Sequence, residues 1–116
     1  MKYMLLMYAS ESEAPKYTPQ EYQAVAQAWQ ALGKEAEAAG VLVSNLGLAS
    51  IADATTVRVR EGKTLTVDGP FAETHEQLGG YYVLECKDLD EAIRWAAKIP
   101  TAKYGSIEIR PQWSQK

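Results

Sequence analysis

Asp68-Gly69-Pro70-Phe71-Ala72-Glu73-Thr74-His75-Glu76-Gln77-Leu78-Gly79-Gly80-Tyr81-Tyr82 interrupts a run of alternating apolar sequence and collects carboxylates and the only histidine of the chain in one irregular stretch. Gly69-Pro70 ends the strand before it, because proline has no N–H for the ladder and glycine frees the backbone to turn. Upstream, Thr56-Val57-Arg58-Val59 and Thr64-Leu65-Thr66-Val67 read as the two arms of a hairpin. Placing Val57 and Leu65 on one face calls for a three-residue loop, Arg60-Glu61-Gly62, with Gly62 at the positive-φ position. Downstream, Gly80 to Cys86 sets Tyr82, Leu84 and Cys86 against Tyr81, Val83 and Glu85, the alternation of a strand.

Working outward, residues 3 to 9 form a strand with two apolar faces, Tyr3, Leu5, Met7 on one and Met4, Leu6, Tyr8 on the other, so its place is central in a sheet. Thr18-Pro19-Gln20-Glu21 then supplies a capping hydroxyl, a proline at the first helical position and a glutamate that returns the capping-box bond. The helix that follows carries Tyr22, Val25, Ala26, Trp29, Leu32, Gly33, Ala36 and Ala39 at helical spacing, with Gly40 as a left-handed stop. Leu42 to Leu46 is a second strand, and Gly47 to Thr55 a loop with a weak apolar turn. Asp88-Leu89-Asp90-Glu91 caps a second helix that buries Leu89, Ala92, Ile93, Ala96 and Ile99, leaves Trp95 on its flank and ends at Pro100. Ser106 to Arg110 closes the chain as a strand with Ile107 and Ile109 inward.

A length of 116 residues is that of one domain, residues 1–116, and needs no disulfide or metal to hold a core. With 47% hydrophobic and 23% charged residues the chain has the balance of a folded globular domain. The net charge of -3 is spread out, and the basic residues form no stripe interleaved with aromatics, which argues against nucleic acid as a partner. No segment reaches the roughly 18 apolar residues of a membrane span. Lone Cys86 has no partner for a disulfide or a zinc site and reads as a small buried side chain, which suits a reducing cytoplasm. No metal or other cofactor is expected.

Strand, helix, strand, hairpin, strand, helix, strand is the order of an α+β, ferredoxin-like βαββαβ core with an inserted β-hairpin. Two short helices cover one face of such a sheet, whereas the strands at 3 to 9 and 80 to 86 are apolar on both. The uncovered face exceeds what monomers usually leave in water, so a two-fold homodimer with sheets face to face is expected.

The segment at 68 to 82, together with Glu108-Ile109-Arg110-Pro111, resembles the DGPF branch of the YCII-related family, and the resemblance runs from Tyr3 to Pro111. It implies a dimeric α+β barrel. DGPF-type members usually carry lysine where this chain has His75, and the wider family is associated with a paired histidine and aspartate in a cleft, the histidine on the first helix. The helix at 19 to 39 contains no histidine, so Asp68 alone matches as an acid.

Asp68 stands where a strand ends beside Phe71, a place for a general base if burial raises its pKa, or for a cap of its own turn if it bonds the following amides. Arg110 can either wall a pocket or clamp Asp68 as an ion pair. His75 can move a proton near neutral pH, but also reads as an exposed loop residue, as do Glu73 and Glu76. Gly79-Gly80 suits a close backbone approach or a bend entering a strand. Phosphate loops and Gly-x-Ser-x-Gly elbows are absent from the sequence.

These residues leave two readings open. One is a small-molecule protein, an acid/base enzyme of lyase, isomerase or hydrolase type with Asp68 as base and Phe71, Tyr81 and Arg110 as pocket walls. The other is a non-catalytic ligand sensor or interaction module with a regulatory protein partner, which the resemblance implies because DGPF proteins are often encoded beside alternative sigma factors. Haem chemistry, found in other dimeric α+β barrels, fits poorly with one loop histidine.

Overall fold

A computed structural model describes residues 1–114. In chain order its elements are β1 (Lys2–Ala9), α1 (Pro19–Ala38), β2 (Leu42–Gly47), β3 (Thr55–Arg60), β4 (Lys63–Asp68), β5 (Gln77–Glu85), α2 (Leu89–Ala97) and β6 (Ser106–Pro111), with short 3₁₀ turns at Ile51–Asp53 and Pro100–Lys103. Four strands form one antiparallel sheet in the order β2-β5-β1-β6, and β3 and β4 form a separate hairpin. This is a mixed α+β fold with two helices, and the two strands with apolar residues on both faces, β1 and β5, occupy its centre.

Local chemistry sets the helix ends. Thr18 Oγ1 accepts from the Glu21 N–H at 3.2 Å while Glu21 Oε1 accepts from the Thr18 N–H at 3.0 Å, which satisfies two donors that the first turn would otherwise leave free. At the other end Gly40 takes φ 73°, so that its N–H reaches the Glu37 carbonyl at 2.9 Å and the Val41 N–H the Ala36 carbonyl at 3.1 Å. Val41 then packs beside Ala36, both buried, as this left-handed stop requires.

Tyr3, Leu5 and Met7 of β1 and Tyr82 and Leu84 of β5 point to the helices and join Leu32, Ala36, Ala92, Ala96 and Ile99 in one buried cluster. The opposite face carries Met4, Leu6, Val83 and Tyr81 and has no helix over it. Two bulges adjust the sheet: Val43 is extra in β2 against β5, and Gly79 is extra in β5 against β1. The chain is a slab of 49 × 48 × 19 Å with a radius of gyration of 16.4 Å, against about 13 Å for a compact domain of this length.

Three sequence expectations change. The hairpin pairs Arg60 with Lys63, so its loop is the two residues Glu61-Gly62 at φ 52° and 75°. Both φ values are positive, which gives the turn whose twist matches that of the strands. Val57 therefore opposes Thr66, Leu65 opposes Arg58, and the apolar residues divide between the two faces. In α2 the inward stripe is Ala92, Trp95, Ala96 and Ile99, while Leu89 and Ile93 are exposed. Both stripes obey helical spacing, and packing the large indole inward decides between them. In α1 the stripe is buried only toward its C-terminal half, at Leu32 and Ala36, and Tyr22, Ala26 and Ala39 stay exposed.

Candidate functional site

Trp29 of α1, the end of β1 and the loop after it, the ends of β2 and β5 and the 3₁₀ turn after α2 surround a cavity of about 360 Å³, within the range of small-molecule sites. Trp29 of α1 and Tyr82 of β5 meet in its wall, with ring centroids 6.4 Å apart and planes 6° from parallel. Met7, Ala9, Thr101 and Tyr104 add to an interior that is mostly apolar.

Asn45 supplies the polar contrast. It lies directly opposite Tyr82 across β2 and β5, in the row Asn45, Tyr82, Leu5, Ile109 that faces the helices. Among the described residues its carboxamide has no hydrogen-bond partner, leaving two donors and an acceptor beside the aromatic wall.

The cavity mouth is laced by side chains. Glu11 Oε1 accepts from Ser50 Oγ at 2.7 Å and Oε2 from the Ile51 N–H at 3.0 Å, which holds the 3₁₀ turn of Ile51–Asp53 against the end of β1. The Glu11 N–H donates to Gln77 Oε1 at 2.9 Å, and Gln77 Nε2 donates to the Thr74 carbonyl at 2.6 Å. Ser106 Oγ donates to Glu76 Oε1 at 2.9 Å, tying the same loop to β6. The last part of the segment that begins at Asp68, through Gln77, Gly79, Tyr81 and Tyr82, thus lines the cavity.

The YCII-related domain matches residues 1–114. The chain belongs to the YCII-related family. An uncharacterised protein of Rhizobium meliloti (strain 1021) is 37% identical over 113 residues, which span 96% of this chain and 91% of that protein.

In this YCII-related chain the residues singled out from sequence are spread apart. Asp68 ends β4 exposed and lines neither cavity, and no hydrogen bond holds its carboxylate among the described residues. Phe71 is 76% exposed, its carbonyl accepting from Arg58 Nη2 at 3.4 Å. His75 sits on the exposed loop with Nε2 3.3 Å from Glu13 Oε2. Tyr81 contributes to the wall of the first cavity, whereas Arg110 lines a second, open hollow of about 460 Å³ on the helix-free face with Met4, Val83 and Trp113. No ion pair joins Arg110 to Asp68 among the described residues.

Cys86 is buried, and loss of hydration pushes its thiol up to about 11, with the negative charge of Glu91 and the hydrogen bond that the thiol donates to it acting in the same direction. It is a packing residue with little thiolate at neutral pH. Sequence reasoning missed Asn45, Gln77 and Glu11 as site residues. A strand read by simple alternation puts Leu42, Ser44 and Leu46 on one face, and the bulge at Val43 shifts that parity so that Leu42 and Asn45 share the inner one.

Proposed function

We propose that this YCII-related protein binds a small organic molecule in the cavity lined by Trp29, Tyr82 and Asn45. The observation that carries this reading is an open volume of about 360 Å³ lined by Trp29 and Tyr82, with the exposed carboxamide of Asn45 beside them and bonded to no other described residue. Asn45 is exposed, so its carboxamide meets water and can exchange that water for the polar group of a ligand. A thermal-shift screen of small organic molecules tests it: a binder raises Tm by several degrees at about 100 Kd, and Trp29→Ala and Asn45→Ala abolish the shift. Binders whose shift survives both substitutions overturn the assignment.

The signature at 68 to 82 supports a place within the DGPF branch, and the helix-free face supports a homodimer of the α+β barrel kind. Met4, Val43 and Leu46 are exposed there, with Leu6, Tyr81 and Val83 half-buried around them. The slab shape has the same cause, since a second copy on that face would give the sheet a second covered side. Light scattering then gives twice 12.8 kDa, and Leu6→Glu shifts the mass toward the monomer. A parent of monomer mass at micromolar concentration rules the dimer out.

Acid/base chemistry by Asp68 rests on its free carboxylate at the end of β4. Neither cavity described above is lined by Asp68, so on this reading a second copy would complete a cleft around it. Full retention by Asp68→Asn of any activity found in the substrate screen removes that role. The interaction-module alternative draws on the hairpin, where Val57 and Val59 on one face and Leu65 and Val67 on the other are all exposed. Binding of a regulatory protein that Val57→Lys abolishes, with ligand shifts unaffected, favours it.

A further inference from the structure

We infer that the ligand of the α1 cavity is an organic cation, an alkyl- or arylammonium compound, held by aromatic side chains and the charge of Glu11. The inference rests on the reading of this cavity as a binding site and goes further by naming the ligand's charge. Among the described residues Glu11 is the one charged side chain in the lining, with no lysine, arginine or histidine beside it. A carboxylate or phosphate entering there meets no counter-charge and is repelled by Glu11.

An ammonium group meets two favourable features. Trp29, Tyr82 and Tyr104 present aromatic rings to the cavity wall, and the face of an aromatic ring carries the negative end of its quadrupole. Glu11 is also held in place: Ser50 Oγ and the Ile51 N–H each donate to one of its oxygens, at 2.7 and 3.0 Å, and its own N–H is tied to Gln77. Those bonds come from neutral groups, so they fix the carboxylate at the rim without cancelling its charge. Asn45 can then accept from an ammonium N–H through its carboxamide oxygen. Glu11 is exposed, so solvent and salt weaken its pull and the expected selectivity is moderate.

Benzylamine, benzyl alcohol and benzoate share one ring and differ in charge, and their binding to the full chain can be followed through the NMR signal of the Trp29 indole N–H. The expected result is that benzylamine binds roughly tenfold more tightly than benzyl alcohol, with benzoate weakest. Added salt weakens benzylamine alone, and Glu11→Gln narrows the gap between benzylamine and benzyl alcohol, the amine losing more than the alcohol. Equal binding of amine and alcohol, or tightest binding of benzoate, overturns the cation assignment and keeps the cavity as a binding site. Equal loss of all three ligands in Glu11→Gln overturns the role of its charge, because Glu11 then acts only by holding the rim. If none of the three perturbs Trp29, the cation inference and the cavity reading fall together.

Discussion

Gly80 and Leu46 approach so closely that a Cβ on Gly80 would lie 2.7 Å from the Leu46 carbonyl oxygen, and 2.8 Å from Cε of Met7. The carbonyl belongs to the backbone of β2, which cannot yield without disturbing the sheet. Gly79, one residue earlier, is the bulge residue and would place a Cβ 3.9 Å from its nearest neighbour, an ordinary contact. Gly80→Ala is therefore expected to cost about 1–3 kcal/mol as an overpacked site, and Gly79→Ala much less. Urea unfolding of the two variants measures this, and equal effects contradict the packing described.

The glycine pair illustrates what was legible in the sequence and what was not. The pattern announced a close approach or a bend, and the structure contains one of each, the approach at Gly80 and the bulge at Gly79. Helix starts at Thr18 and Asp88 were readable because a cap depends on residues within one turn of each other. Stripe orientation in α2 was not, since Leu89/Ile93 and Trp95 compete for the inner face and only the sheet opposite decides. The cavity was hidden for a related reason. Trp29, Asn45 and Tyr82 are remote in sequence, and a bulge conceals the inward position of Asn45, whereas the conspicuous Asp68 and His75 do not line the cavity.

The hairpin turn gives a second expectation. Glu61 holds φ 52°, a left-handed conformation that asparagine and glycine adopt at lower cost. Glu61→Asn makes the turn Asn-Gly, the preferred pair for two-residue hairpins, and is expected to stabilise the hairpin by about 0.5–1 kcal/mol. Slower amide hydrogen exchange of β3 and β4 in the variant is the readout. A three-residue loop with Glu61 outside the left-handed region predicts no such gain.

On α1, Trp29 and Tyr22 read alike in the helical pattern and differ in place. Tyr22 is 61% exposed and meets Tyr17 edge-on, with centroids 5.6 Å apart, while Trp29 packs against the core through Tyr82. Trp29→Ala is expected to cost about 2–3 kcal/mol, below the range for fully buried aromatics because the indole is only half-buried. Tyr22→Ala is expected to cost under about 1 kcal/mol. Thermal unfolding of the two variants separates them, and a larger loss for Tyr22→Ala contradicts the orientation of the helix.

Cys86 links burial to alkaline stability. An unfolded chain gives up the thiol proton near the ordinary 9.0, whereas the folded chain keeps it up to about 11. Between those values the unfolded state binds fewer protons, so stability falls as pH rises, and below the lower value the contribution is fully present. Two units correspond to about 2–3 kcal/mol at the upper end of the window. Cys86→Ala lacks this contribution, so its stability deficit relative to the parent should narrow between pH 9 and 11. Urea titrations of both proteins across that range read the difference directly. The same burial should keep the native thiol unreactive toward an aromatic disulfide reagent at neutral pH until denaturant is added, and rapid reaction of the native protein would place Cys86 at an open surface.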